Sequence, residues 1–330
     1  MWRWQADRFG PPDQVLRLVE APEDPPPGPG QVRLVVRAVG LNFLDVMVCR
    51  GEYPQQPPPP VTPGVEVVGQ VVAAGPGAEA LLGREVIACP TFPAGGLAEQ
   101  VTVSVGLVVP RPPELPPVAA AGLPVIYQTA ATALARAGLQ AGQTVLVLAA
   151  AGGVGIATIQ LARARGARVV AAAGGPEKLA YCREQGVDAL VDYRQEDLAA
   201  AVRAATGGYG ADVVVDPVGG ELSARALDCL AFEGRLVAVG TAAGQPPPVD
   251  PTRLMASNQS VIGVSWGSSY PWRRPAQVAA TYQELFELYR QGLVRPPVSR
   301  VVPFQSAASA LADLAARRST GKLVVEMGGD

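Results

Sequence analysis

Residues 144–173 constrain the fold more than any other stretch of this 330-residue chain. A continuous apolar run, Thr144-Val-Leu-Val-Leu-Ala149, passes into the small-residue cluster Ala150-Ala-Gly-Gly-Val-Gly155. A helix-compatible segment over 156–165 and a second apolar run over 168–173 follow. Strands that are apolar at every position are buried on both faces, as in a parallel sheet covered by helices. The alternation continues with helices over 176–185, 196–205 and 221–231 and strands over 189–191, 212–216 and 235–240. Pro176 suits a first helical position and Gly186 a helix end. The spacing predicts an α/β fold with a doubly wound parallel sheet.

The glycine cluster fits G-x-G-x-x-G with Ala150 in place of the first glycine, directly between a strand and a helix. Gly152 would let the backbone approach a pyrophosphate, and Gly155 would let helix and strand pack closely. The amides opening the helix, around Gly153 and Val154, would face the anion. The competing reading is a merely tight strand-to-helix turn. Units of this kind that bind NAD place Asp or Glu about 20 residues beyond the motif, on the ribose 2′-OH. Here that strand ends in Ala173-Gly174-Gly175, which leaves room for a 2′-phosphate and removes the carboxylate that would repel it. Lys178 follows in the next helix and Tyr193 beyond the third strand. The expected cofactor is NADPH rather than NADH, with a solvated Lys178 as the bland alternative.

Short β-like runs punctuated by proline clusters and glycines fill the first 120 residues or so, the pattern of an irregular, mainly β domain. The chain carries 27 basic and 29 acidic residues with no long block of either sign, which argues against a surface that tracks nucleic acid. No run approaches the roughly 20 apolar residues that span a bilayer, and the opening residues lack the apolar centre of a secretion signal. No membrane partner and a cytoplasmic location are therefore expected. Cys49, Cys89, Cys182 and Cys229 form no C-x-x-C pair, so neither a zinc knuckle nor a disulfide framework is suggested. Histidine is absent, and with it any imidazole base, relay or metal ligand.

These features, with Gly40-Leu-Asn-Phe-Leu-Asp45, Arg50-Gly-Glu-Tyr53, Pro63-Gly-Val-Glu-Val-Val-Gly69, Asp216-Pro-Val-Gly-Gly220, Gly263-Val-Ser-Trp-Gly267 and Ser319-Thr-Gly-Lys322, make the chain resemble the medium-chain dehydrogenase/reductase superfamily. Its zinc-independent quinone oxidoreductase branch, which includes zeta-crystallin-like proteins, is most similar. The resemblance implies a GroES-like, mainly β catalytic domain over 1–123 and a Rossmann NADPH-binding domain over 124–262. A segment over 263–330 would return to the first domain. It also implies a homodimer through the edge strand over 260–266. Cofactor contacts implied by the resemblance are Asn42, Thr129, Gly152, Gly153, Val154, Gly155, Gly174, Lys178, Tyr193, Val239, Gly240, Thr241, Trp266 and Lys322. Zinc-dependent members carry a cysteine where Asn42 stands and a histidine where Val65 precedes Glu66, so no zinc or other metal is expected.

Hydride transfer to a simple ketone leaves an alkoxide that needs a Lewis acid or a strong proton donor. A quinone or an α,β-unsaturated carbonyl spreads the charge into a phenolate or enolate, for which weaker donors and positioning suffice. The resemblance makes Tyr53 and Asn42 the expected catalytic donors, with Asp45 orienting the loop through Arg50; read from the residues alone, a surface-packed Tyr53, a turn-forming Asn42 and a structural Asp45 compete. Some relatives carry a further tyrosine where Met47 stands here. Two other functions compete: a 2-enoyl thioester reductase, and a non-catalytic NADPH-binding structural or regulatory protein.

Overall fold

A computed structural model describes residues 1–54, 57–246 and 249–328. The chain divides into two units, Met1–Val125 with Pro296–Asp330, and Ile126–Arg295.

Among the described residues, the Ile126–Arg295 unit holds a six-stranded sheet whose neighbouring strands are all parallel. Its order is Ala189–Asp192, Arg168–Ala173, Thr144–Leu148, Ala211–Asp216, Leu230–Ala238, Ser260–Gly263. The order reverses between Thr144–Leu148 and Ala211–Asp216, the switch point at which dinucleotide-binding sheets hold their ligand beyond the strand carboxyl ends. Thr144–Leu148 is buried at every position and Arg168–Ala173 at every position but the first, as the apolar runs require. The helix Gly153–Ala164 lays Ile156, Ile159 and Leu161 into the core.

Several boundaries differ from the sequence expectation. The helix expected over 221–231 spans Gly220–Leu227, and Leu230 already belongs to the next strand. That strand pairs Ala211 with Leu230 and then Val213 with Arg235, absorbing the extra residues in a bulge that holds Glu233 at φ 59°. The strand expected over 260–266 stops at Gly263, and Trp266 opens a helix, Trp266–Arg273. This compact unit runs on past residue 262 to Arg295. The helix Pro275–Arg290 is tied to this unit by Gln128 Nε2 donating to the Val278 carbonyl at 3.1 Å and by an Arg165–Glu284 ion pair at 3.1 Å.

In the other unit, Trp2–Ala6 and Leu16–Glu20 form an antiparallel pair. A larger sheet runs Val298–Pro303, Lys322–Glu326, Gln31–Leu41, Val67–Ala74, Glu85–Ala88, Val108–Pro110, with Gln100–Ser104 also pairing Gln31–Leu41. Gln31–Leu41 alternates buried and more exposed residues before becoming continuously buried near its end. Lys322–Glu326 runs antiparallel to it, with Leu323 opposite Leu41, so the register sets Lys322 beside Asn42.

Close backbone approach at Gly155 is a steric requirement. A Cβ there would lie 2.5 Å from the Ala150 carbonyl oxygen and 2.6 Å from that of Ala149. Gly155→Ala is expected to lower stability by about 1–3 kcal/mol. Gly267→Ala, in a helix where an added Cβ meets nothing within 4 Å, is expected to be neutral or stabilising. Urea unfolding of the two variants checks both; equal midpoints would refute the steric account.

Candidate functional site

The carboxyl ends of the parallel strands bring several expected residues together. Gly152 is the N-cap of Gly153–Ala164, its carbonyl accepting from Ile156 N at 2.9 Å. The N–H groups of Gly153, Val154 and Gly155 belong to the first turn, which has no intrahelical acceptors, and carry its partial positive charge. At the end of the next strand, a Cβ on Gly174 would lie 2.6 Å from Arg194 Nε and 3.1 Å from Tyr193 Cε2. Arg194 and Tyr193 thus cover the residue that would be acidic in an NAD-binding unit. Asp192 holds this turn, its carboxylate accepting from Gly175 N at 3.2 Å and Arg194 N at 3.0 Å. Lys178 lies in the first turn of Pro176–Arg183.

Val239, Gly240 and Thr241 follow the Leu230–Ala238 strand and lie against the turn at 216–219. Val239 N donates to the Asp216 carbonyl at 2.8 Å. Asp216 is fully buried and accepts from Val218 N, Gly219 N and the Ser223 hydroxyl. Thr129 is buried on the Pro124–Arg136 helix, its hydroxyl without a hydrogen-bond partner among the described residues. Trp266 is buried too, and its indole N–H has no partner there. The glycine turn with its helix-opening amides, and the cations Arg194 and Lys178 near Gly174, suit a phosphorylated dinucleotide in charge and space.

A second cluster forms in the other unit around Asn42, the N-cap of the helix Phe43–Arg50. Asp45, at the third helical position, accepts from Asn42 N at 2.8 Å through Oδ2, the reciprocal half of a capping box. Its Oδ1 accepts from Gly64 N at 2.8 Å. Asp45 therefore orients the turn through these two amides rather than through Arg50. The Asn42 carboxamide points elsewhere: Oδ1 accepts from Lys322 Nζ at 2.6 Å, and Nδ2 donates to Glu66 Oε1 at 2.8 Å and to the Gly40 carbonyl at 3.3 Å. Lys322 and Glu66 form an ion pair. Glu66 Oε2 accepts from Val125 N at 2.7 Å. Because an ammonium only donates and a carboxylate only accepts, the orientation of the Asn42 amide is fixed. Gly40 admits Glu66, since a Cβ at residue 40 would lie 2.6 Å from Glu66 Oε1.

Tyr53 is half-buried beyond the left-handed Gly51 cap, its ring edge-to-face with Phe92 at 6.1 Å between centroids. Its hydroxyl has no hydrogen-bond partner among the described residues. Burial pushes its pKa up, so at neutral pH it is a proton-bearing donor. Burial likewise pushes the Cys49, Cys182 and Cys229 thiols up to about 12, which leaves them unsuited to thiolate chemistry.

Two family models match the chain, the alcohol dehydrogenase GroES-like domain over residues 28–113 and the zinc-binding dehydrogenase model over 153–282. The chain is 36% identical over 305 residues to quinone oxidoreductase-like protein 2 of Rattus norvegicus, covering 92% of this chain and 86% of that one. Among solved structures, the quinone oxidoreductase of Thermus thermophilus, determined also as its complex with NADPH, superposes with a TM-score of 0.85 at 39% identity. That match covers 99% of this chain and 100% of the other. A CurK enoyl reductase structure superposes with a TM-score of 0.87 at 27% identity, covering 99% of each chain. The chain belongs to the quinone oxidoreductase family of the medium-chain dehydrogenases/reductases. Its fold is the family's α/β fold, a Rossmann-like parallel sheet with a GroES-like β domain.

Although one matching family model carries zinc in its description, the donor set in this family member does not fit the metal. The Asn42 carboxamide and the Glu66 carboxylate are already committed to an ammonium, and the sequence holds no histidine. Among the described residues no group of three or more His, Cys, Asp or Glu could hold a metal ion.

Two residues of these clusters escaped sequence reasoning as site members. Arg194 follows Tyr193 directly, and its adjacency to a strand end was the available signal. Glu66 stood within a quoted motif, but only the fold shows that its charge partner lies 256 positions further on, at Lys322.

Burial raises the Asp45 pKa from 3.8 to about 6, against the lowering effects of the Gly64 and Asn42 amides and of Lys322. A raised carboxyl pKa gives stabilisation that is fully present below pH 3.8 and is lost as pH rises through about 6. The loss amounts to about 3 kcal/mol. Asp45→Asn removes this dependence. Thermal midpoints measured between pH 4 and 8 should show the variant gaining on the wild type as pH rises, and parallel profiles would contradict the assignment.

Proposed function

We propose that this protein is a cytoplasmic, zinc-independent oxidoreductase that uses NADPH to reduce quinones or other conjugated carbonyls. The observation that carries the cofactor reading is Gly174 roofed by Arg194, a position without a side chain beneath a guanidinium. An arginine at that place accommodates a 2′-phosphate, and the adjoining Lys178 adds a second cation. The NADPH complex of the Thermus thermophilus relative supports the same reading. When bound, the cofactor supplies hydride. The amides of Gly152, Gly153, Val154 and Gly155 hold the pyrophosphate, with Val239, Gly240, Thr241, Thr129 and Trp266 as further contacts. Asn42 and Lys322 complete the contacts that the family resemblance implies.

For the acceptor, Tyr53 supplies the hydrogen-bond donor. Its phenol has no partner among the described residues and stays protonated at neutral pH, which suits an oxygen whose charge is already spread over a conjugated system. Asp45 acts by holding the turn that carries Asn42. The division of labour expected from the family has 1–123 and 263–330 serving the acceptor and 124–262 the cofactor. The outer edge of Ser260–Gly263, unpaired among the described residues, supports a homodimer formed there. A second reading, a 2-enoyl thioester reductase, is favoured by the likeness to the CurK enoyl reductase.

NADPH oxidation measured against quinones, enones, enals and enoyl thioesters decides the acceptor class. Binding without oxidation of any of them would favour a non-catalytic protein. Tyr53→Phe is expected to lower kcat with a conjugated acceptor by at least about tenfold while leaving NADPH affinity unchanged. Arg194→Ala and Lys178→Ala should each weaken NADPH by roughly tenfold to a hundredfold without weakening NADH. Equal losses for both dinucleotides would refute the 2′-phosphate role.

A further inference from the structure

Residues 193–196 lead from the end of the Ala189–Asp192 strand toward the Leu198–Ala205 helix and carry Arg194 over Gly174. Asp192 fixes the start of this loop. Its carboxylate accepts from Gly175 N and Arg194 N, and its carbonyl accepts from Gln195 N at 3.0 Å and Glu196 N at 2.9 Å. The carbonyls of Tyr193 and Glu196, which flank Arg194, have no backbone donor among the described residues. One side chain meets both: Arg225 Nη1 donates to the Tyr193 carbonyl and Nη2 to that of Glu196, each at 3.2 Å. A guanidinium presents its donors as a rigid planar fork, so this grip sets the spacing of the two carbonyls.

Arg225 comes from outside the loop. It sits on the helix Gly220–Leu227, which follows the Ala211–Asp216 strand, three places along the sheet from the strand that ends at Asp192. Both ends of that helix are anchored. At its start Asp216 accepts from Val218 N, Gly219 N and the Ser223 hydroxyl. Beyond its end the Asp228 carbonyl accepts from Arg203 Nη2 at 2.9 Å, and the Asp228 carboxylate pairs with Arg253 at 2.7 Å. The helix is thus a fixed strut that delivers a guanidinium to a distant loop. The Glu196 carbonyl lies in an exposed contact, where water could satisfy it equally well. What Arg225 adds is therefore geometry: the loop is held at two carbonyls in a way that exchanging waters would not hold it.

We propose that Arg225 is a positioning residue for dinucleotide choice, gripping Tyr193 and Glu196 so that the Arg194 guanidinium stays over Gly174. The inference rests on the NADPH reading and deepens it. Arg225 acts through Arg194 and does not itself touch the dinucleotide, so its loss matters only to a ligand that carries a 2′-phosphate. The anchors at Asp192 remain when Arg225 is replaced, and the loop keeps its start while Arg194 loses its fixed place.

Calorimetric titration of NADPH and NADH, in the absence of any acceptor, tests this with the wild type, Arg225→Met, Arg225→Lys, Arg194→Ala and the Arg194→Ala/Arg225→Met double variant. Arg225→Met is expected to weaken NADPH by roughly threefold to thirtyfold and to leave NADH within about twofold of the wild type. In the Arg194→Ala background the same substitution should change NADPH affinity by no more than about twofold, because the group through which Arg225 acts is already gone. Losses that multiply in the double variant overturn the proposal, since Arg225 would then contribute independently of Arg194. Equal losses for the two dinucleotides overturn it as well, and so does an Arg225→Met protein with wild-type affinity for NADPH. Arg225→Lys keeps the charge without the fork and should resemble Arg225→Met; wild-type NADPH affinity in Arg225→Lys would show that charge, not geometry, is what counts and overturns the positioning role. Should Arg225→Met not fold, Arg225→Lys takes its place in both backgrounds with the same expectations. An Arg194→Ala variant that binds NADPH as tightly as the wild type defeats the 2′-phosphate reading itself, a failure separate from any at Arg225.

Discussion

A buried ammonium has to be met by a carboxylate, and much of the Met1–Val125 and Pro296–Asp330 unit is arranged to satisfy that demand. Lys322 reaches Asn42 across 280 positions of sequence because the terminal strand pairs with Gln31–Leu41. Glu66 reaches both because Gly40 has no side chain to exclude it. Removing one member of a buried ion pair typically costs about 3–5 kcal/mol, far more than a surface pair contributes. The Lys322 and Glu66 positions are thus bound to each other, and the last strand is an integral part of the first unit. The unit also cannot close its sheet before the terminal strand exists, so its contacts are among the least local in the chain.

In the parallel-sheet unit the comparable constraint is steric. Its turns are held by acids whose oxygens are spent on backbone amides. Asp192 holds Gly175 and Arg194, and Asp216 holds Val218 and Gly219. Gly219 sits at φ 79°, where an added Cβ would lie 2.1 Å from the Gln245 carbonyl oxygen. Glycine is needed there on both counts, conformation and space. Acids that pin the backbone are turned into the turns they hold, and glycine at 174 clears room for the Arg194 side chain.

The sequence made the parallel sheet legible because the signal was local and redundant: unbroken apolar runs, a glycine turn of known meaning and helix punctuation at Pro176 and Gly186. The sequence blurred where two periods overlapped. Residues 230 and 231, expected at the end of a helix, form the start of a bulged strand, since pairing to Ala211 outweighs local preference. Trp266 was read as a strand end because nothing local distinguishes a β residue from the first residue of a helix without a capping hydrogen bond. The site was half legible. Asn42, Asp45 and Lys322 were singled out individually, but partnership across the sheet is a property of register, which no window of sequence contains. Arg194 was overlooked for the opposite reason: an arginine in a chain with 27 basic residues attracts no notice until its guanidinium is seen over Gly174.

The choice of cation at these two places follows from geometry. Of the 27 basic residues two are lysines, Lys178 and Lys322. At 322 the stem passes Gly122, where an added Cβ would lie 3.3 Å from Lys322 Cγ, so the approach is narrow. A guanidinium is planar and presents its donors as a fixed fork, suited to gripping one carboxylate with two parallel bonds. The Lys322 cluster needs donors spread from one atom toward an amide oxygen and a carboxylate in different directions. A tetrahedral ammonium does this and a planar fork does not. At 194 the side chain lies flat over Gly174, a position without a side chain of its own. The ammonium of Lys322 thus sits in a crowded, charge-neutral junction, whereas the guanidinium of Arg194 is exposed over a glycine.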